Sequence, residues 1–446
     1  MSTNYERQYR ERTRESFALW EEASQVLPGG VAGNGKFMQP YPVYAENAEG
    51  AYVWDVDGNK YIDVLMGAGV HILGHSPKPV LDAVQAALPK GNHLYLPALP
   101  EVRMAQKVRQ LMPHVEMVRF LNSGTEATLM AMRAARAYRK RDKIAKFEGN
   151  FHGQHDFTLV STMATAGPDA VPEPALDSAG VPKRVTGDFL ILPYNDPSNA
   201  VELIEEHADE LAAVIMEPVS AFGLGCVPAK PEFLRTIREV TQNTGVLLIF
   251  DEIVTNFRLA LGGATEYFGI TPDLVTLGKI LTAGYPGSGF GGRKDIMDSV
   301  VTPSSGIWDL KEQIFQSGSF SGNPISMTAG VAVLEQLEKK ETYSHLKALA
   351  DQMWAGFDEL AKSTDQQMLV TGVGSMFQIH FGVDRLENKR DALKLDKAKE
   401  KEFHLGLVAN GILASAHPLF LSAAHTAEDV DAMLSACEKV LGEMSS

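Results

Sequence analysis

Three short segments of the chain carry residues whose types suit chemistry at an amine. The apolar run Val246-Leu247-Leu248-Ile249-Phe250 ends in two acids, Asp251 and Glu252. A second run, Asp273-Leu274-Val275-Thr276-Leu277-Gly278-Lys279, places a lysine just past a short apolar strand and before Ile280-Leu281. The third, Asn122-Ser123-Gly124-Thr125-Glu126-Ala127, opens a stretch of strong helix formers from Leu129 to Tyr138. Two hydroxyls and a glycine at a helix start offer backbone N–H groups and a positive dipole end to an anion such as phosphate. The same pattern is also an ordinary N-cap.

A lysine at a strand's mouth is commonly solvated. One that points into an apolar-lined cleft loses proton affinity to desolvation and becomes a nucleophilic amine. The acid that ends a buried strand could hold magnesium, as in a Walker B strand. That reading needs a GxxxxGK[ST] loop, and Gly278-Lys279 is followed by Ile280. The alternative is pyridoxal 5′-phosphate (PLP). Lys279 would bind its aldehyde as a Schiff base, and Asp251 would keep its pyridine nitrogen protonated so that the ring accepts electrons.

Hydrophobic patterning gives the scaffold around these residues. Tyr5 to Val26 reads as an amphipathic helix, able to pack on a partner subunit, that stops at Leu27-Pro28-Gly29-Gly30. Short strands come next at Val43-Tyr44, Ala51 to Trp54 and Tyr61 to Asp63, forming a small antiparallel unit. From about Lys78 the chain alternates helices with apolar strands: Lys143 to Phe147, Phe189 to Leu192, Ala212 to Met216, Val246 to Phe250 and Leu274 to Leu277. Continuous apolar strands between helices imply a mostly parallel sheet covered on both faces, which places ligands at its strand ends. After about Met327 long helices return, with short strands near Met376 to Phe381 and Gly411 to Ser415. The expected division is 1–76 as N-terminal helix and strands of a small domain, 77–326 as a large PLP-binding domain and 327–446 as the rest of the small domain. Met163 to Thr186, rich in Pro, Ala and Gly, reads as a long functional loop.

A net charge of −15 would repel a phosphate backbone, so nucleic acid is not an expected partner. Cys226 and Cys437 stand far apart, outside any CxxC pattern, which points to a reducing compartment, the cytoplasm. The charged N-terminus lacks the apolar core of a signal peptide, and no membrane association is expected.

Two motifs are decoys. Gly287-Ser288-Gly289-Phe290-Gly291-Gly292 matches GxGxxG but lacks a preceding strand and an acid placed for a ribose. His71 and His75 have a spacing that could bind zinc on a helix, but Gly74 and Ser76-Pro77 indicate a turn, so no metal is expected.

Together the motifs resemble the class III aminotransferase family, and within it the glutamate-1-semialdehyde 2,1-aminomutase-like subgroup. Matching stretches are Ala48 to Asp63, Ile72 to His75, Val118 to Ala127, Asp142 to Gly153, Pro193 to Asp196, Leu247 to Gly263, Thr271 to Lys279 and Gly318 to Pro324. The resemblance implies an α/β fold of the aspartate-aminotransferase type, PLP fold type I, with a mostly parallel sheet in the large domain and a smaller α+β domain built from both termini. It implies that Lys279 carries the cofactor, Asp251 pairs with the ring nitrogen, Ile253 packs on one ring face and Phe151 on the other, with His152 beside it. Ser123, Gly124 and Thr125 would hold the phosphate, joined by Ser319 from a neighbouring subunit, so that a homodimer shares its active sites. Glu217 would brace the site and Ser220 would touch the ring hydroxyl.

The family removes a proton from the carbon beside the substrate's nitrogen, and its members diverge at the next step: transamination, migration of the amino group, or loss of ammonia or another group. The subgroup's Glu before a Phe-Leu-Ser stretch is replaced by His417, within Ala414-Ser415-Ala416-His417-Pro418-Leu419-Phe420-Leu421-Ser422. Its substrate-carboxylate arginine corresponds to Lys36, which keeps the charge but not the planar fork and suits a phosphonate or phosphate at least as well. No arginine near His417 offers a carboxylate clamp. An acceptor such as 2-oxoglutarate thus has no evident clamp; the expected activity is still that of an aminotransferase on a small anionic amine. Alternatives are an ammonia- or phospho-lyase on an amino-phosphonate or amino-phosphate, and an aminomutase.

Overall fold

Strands that are apolar on both faces can only be buried between layers, and the computed structural model, which describes residues 4–303 and 310–444, places them so. A seven-stranded sheet runs in the order Met117–Leu121, Ser288–Gly292, Leu274–Leu277, Leu247–Asp251, Leu211–Met216, Lys143–Phe147 and Phe189–Leu192. Ser288–Gly292 is antiparallel to both its neighbours, and the other recorded pairings are parallel. The helix Gly124–Arg139 lies across one face, and Ala127, Ala131 and Ala135 let its backbone approach the strands closely. Pro231–Thr244 packs on Leu247–Asp251 and on Pro197–Glu206.

The glycine-rich segment that mimics a nucleotide loop is itself a strand, Ser288–Gly292, inserted between two others. Its glycines are required by sheet packing. A Cβ at Gly291 would stand 2.2 Å from the Met117 carbonyl, and one at Gly292 would stand 2.2 Å from the Asp273 carbonyl. Local sequence does not announce this strand, because it carries few of the β-branched residues that mark one.

The chain divides into two compact units, 1–77 with 343–385 and 394–446, and 78–342 with 386–393. A seam at 326/327 would fall inside the helix Pro324–Leu337, which belongs wholly to the second unit. In the first unit both chain ends share a sheet, since Ile412–Leu413 pairs in parallel with Lys60–Asp63. A second sheet there joins Met368–Val373, Met376–Phe381 and Leu419–Phe420. The expected N-terminal helix is two helices, Asn4–Arg12 and Arg14–Ala23, broken at Thr13. Tyr9 faces its own unit, with its hydroxyl donating to the Tyr41 carbonyl at 2.6 Å.

Among the described residues no helix is long and apolar enough to cross a membrane, and no group of three or more His, Cys, Asp or Glu is placed to hold a metal ion. His75 instead meets the Asp63 carboxylate at 2.7 Å.

Gly291→Ala should cost about 2 kcal/mol through overpacking, read as a lower urea midpoint. Gly442→Ala, where a Cβ meets nothing within 4 Å, should be neutral or raise it slightly.

Candidate functional site

Parallel strands deliver their C-terminal ends to one edge of a sheet, so the segments after Leu121, Phe147, Met216, Asp251 and Leu277 converge there. These segments carry Ser123, Gly124 and Thr125; Phe151 and His152; Glu217 and Ser220; Asp251 and Ile253; and Lys279. All belong to the second unit, and the structure brings them together.

Asp251 ends the central strand and is almost wholly buried. Its Oδ2 lies 2.7 Å from Nδ1 of the fully buried His152. Oδ1 accepts from the Thr276 hydroxyl at 2.8 Å and from the Ile253 N–H at 3.1 Å. Burial lowers the pKa of His152 against the opposing pull of Asp251, so a neutral imidazole donates from Nδ1 to the carboxylate. The other ring nitrogen, Nε2, is buried with no hydrogen-bond partner. Sequence reasoning does not single out Thr276. Its signal lies in the pairing of the two parallel strands, whose register sets Thr276 directly beside Asp251 on the strand that leads to the lysine.

Lys279 follows that strand at the head of a single 3₁₀ turn, Lys279–Thr282, in a left-handed backbone conformation (φ +48°). This is an uncommon conformation for a residue with a side chain and a frequent mark of a functional position. Burial pulls its pKa down to about 8; the Arg258 charge acts in the same direction, while Glu217 and Asp251 oppose it. Near neutrality such an amine exchanges its proton readily.

Glu217 is a second buried acid at this edge. Its carboxylate accepts from the Phe151 N–H at 2.7 Å and the Ala221 N–H at 3.2 Å, and its own N–H donates to Asn150 Oδ1 at 2.9 Å. Burial first, and the Asp251 charge second, push its pKa up to about 8. The buried Ser220 hydroxyl donates to the Gly149 carbonyl at 3.1 Å and stands 3.5 Å from Glu217 Oε2.

At the helix start both sequence readings are realised. Ser123 caps Gly124–Arg139, and the Glu126 carboxylate accepts from the Asn122 and Ser123 N–H groups at 2.9 and 2.8 Å. Gly124 and Thr125 occupy the first helical positions, whose N–H groups have no intrahelical acceptor. A Cβ at Gly124 would stand 3.1 Å from Ile253 Cδ1, and one at Gly278 would stand 3.0 Å from it, so two glycines make room for the Ile253 side chain. Phe151 is half-buried, its ring centroid 4.9 Å from that of Phe222. Ser319 is exposed in the turn before Pro324–Leu337. Lys36, exposed in the turn Asn34–Lys36, and His417, half-buried after Ile412–Leu413, belong to the first unit.

The donor set fits PLP. An amine of lowered pKa, a braced carboxylate for a ring nitrogen, a helix start for a phosphate and a glycine-lined slot meet at one edge. A buried imidazole beside the carboxylate retains an unmatched nitrogen.

Between pH 4.5, the ordinary value for Glu217, and about 8, the folded protein holds a proton there that the unfolded chain has lost. Stability of the cofactor-free protein should therefore fall as pH rises through this window. In Glu217→Gln that part of the slope should vanish, as followed by urea denaturation at pH 5, 6 and 7.

Residues 35–437 match the family model described as Aminotransferase class-III. The glutamate-1-semialdehyde 2,1-aminomutase of Methanopyrus kandleri is 41% identical over 440 residues, covering 98% of this chain and 99% of the relative. Among solved structures, an omega-transaminase from Sphaerobacter thermophilus aligns with a TM-score of 0.91 at 35% identity, covering 98% of this chain and 99% of that one. A glutamate-1-semialdehyde-aminomutase variant from Pseudomonas aeruginosa PAO1, in complex with PMP, aligns with a TM-score of 0.88 at 25% identity over 98% and 96% of the two chains. The sheet-edge site and these likenesses lead to one conclusion: the chain belongs to the class III aminotransferase family and has its PLP-dependent aminotransferase fold.

Proposed function

We propose that this protein is a PLP-dependent aminotransferase acting on the amine of a small anionic substrate. The observation that carries the reading is the buried Asp251, braced by His152 and Thr276, at the same sheet edge as the partly buried amine of Lys279 and the open helix start at Gly124. When bound, PLP supplies an aldehyde that takes up the substrate's nitrogen and a ring that accepts an electron pair from the adjacent carbon.

The chain's residues do the rest. Asp251 would hold a proton on the ring nitrogen, and the neutral His152 and the Thr276 hydroxyl keep the carboxylate aimed. Gly124 and Thr125 N–H groups, with the Ser123 hydroxyl, hold the phosphate; Ser319 joins them across a homodimer interface. Phe151 and Ile253 would cover the two ring faces. Ser220, next to Glu217, serves the ring hydroxyl, and a protonated Glu217 adds no second negative charge beside Asp251 near neutral pH. Lys279, with its proton affinity lowered by burial, takes the proton from the substrate carbon and returns it at another. Lys36 and His417 are the substrate-facing candidates, Lys36 for the anionic end.

A second reading, migration of the amino group within one molecule, is favoured by the 41% identity to a glutamate-1-semialdehyde 2,1-aminomutase. The replacement of an acid by His417 and of an arginine by Lys36 speaks against that migration, and Lys36 suits a phosphonate or phosphate as well as a carboxylate.

Lys279→Ala should abolish borohydride fixation of the cofactor and, once unbound PLP is removed, the imine absorbance at about 400 nm, where protonated imines absorb. Asp251→Asn should keep the lysine linkage and lower turnover at least about a hundredfold. With PLP-loaded enzyme, an amine substrate and no keto acid, a transaminase undergoes one stoichiometric spectral conversion without ammonia. Repeated ammonia release would establish a lyase. Conversion of glutamate-1-semialdehyde by movement of its nitrogen from carbon 2 to carbon 1 would establish the aminomutase.

A further inference from the structure

Within residues 219–227, beside Glu217 and Ser220, every residue is buried except Phe222, which is 39% exposed. The backbone under it is held from several directions. The Gly225 and Cys226 N–H groups both donate to the Ala221 carbonyl, at 3.0 and 3.1 Å, through two residues of positive φ. Gly223 presses so closely on residue 149 that a Cβ would stand 1.9 Å from the Gly149 carbonyl oxygen, and Leu224 fills the space beside Gly149. Lys389 donates to the Gly223 carbonyl at 3.3 Å. A large apolar side chain on a mobile tip would signify little, but this one is displayed by a clamped turn.

Its ring meets Phe151, whose N–H is held by Glu217, at 4.9 Å between centroids and a 49° tilt. A Cβ at Gly223 would also come 3.3 Å from Thr162, and Lys389 Nζ stands 3.8 Å from the sulfur of Met163, itself 46% exposed. Phe151 and Phe222 therefore form an apolar surface at the site, and Met163 lies near the turn that carries Phe222.

We propose that Phe222, backed by Phe151 and flanked by Met163, is the apolar wall of the substrate pocket and selects amines carrying an aryl or bulky apolar group. The wall rests on the PLP reading of the site. It confers selectivity through ring contact, so it acts on amine affinity and leaves cofactor affinity unchanged.

The test compares benzylamine with methylamine, which differ by one phenyl group, on PLP-loaded enzyme. The dissociation constant of each is read from the change in cofactor absorbance, and oligomeric state is followed by light scattering. Wild type should bind benzylamine at least roughly tenfold more tightly than methylamine. Phe222→Ala should bring the ratio close to one, with PLP affinity and subunit assembly unchanged, and Phe222→Tyr should retain it. A ratio unaltered by Phe222→Ala, or near one in wild type, would overturn the wall. Loss of subunit assembly in Phe222→Ala would also overturn it, by making Phe222 a subunit contact. Failure of wild type to take up PLP would remove the cofactor reading itself, and this inference with it.

Discussion

A carboxylate at the buried end of a central strand is an expensive object, and the architecture of the site is organised around meeting its needs. Asp251 is almost entirely removed from water, and a buried carboxylate is costly unless its oxygens find hydrogen-bond partners. The protein answers with a neutral histidine, a threonine hydroxyl and a backbone N–H, each from a different segment of the same sheet edge. Those three contacts fix the relative positions of the turn after Phe147, the strand ending at Leu277 and the turn after Asp251. On the proposed reading a cationic ring nitrogen would complete that set, supplying the positive charge that none of the three partners brings.

The same low-polarity setting acts in opposite directions on the neighbouring acid and amine. Burial disfavours the charged form of both, raising Glu217 and lowering Lys279 until each titrates near pH 8. Glu217 is therefore largely uncharged near neutrality, so it adds no negative charge beside the Asp251 carboxylate. Lys279 loses proton affinity, the property that its proposed role as nucleophile and proton carrier requires. One environmental variable, the exclusion of water, thus assigns different roles to residues that would behave alike with their own kind in solution.

Glycine supplies the close approaches that such a site needs. Gly124 and Gly278 leave room for Ile253, Gly223 lets the turn carrying Phe222 seat on Gly149, and the glycines of Ser288–Gly292 admit an antiparallel strand between two others. The last case shows how local pattern misleads. The motif has the spacing of a nucleotide loop, but its glycines answer to neighbouring carbonyl oxygens in the sheet.

The amino-acid sequence determined by itself the features set by local composition and order. Apolar runs too continuous for a half-exposed strand had to be buried and parallel, with Asp251 and Lys279 at strand ends and Ser123-Gly124-Thr125 at a helix start; the family followed from those motifs. Local pattern could not determine which groups meet. That Thr276 and His152 share Asp251, that Glu217 holds the Phe151 N–H and that Phe222 rests on Phe151 depend on segments 25 to 99 residues apart in hydrogen-bonded cases such as Asp251 with Thr276 and His152. The pKa values likewise belonged to the tertiary structure, because they measure lost contact with water, and an isolated stretch of chain has lost none.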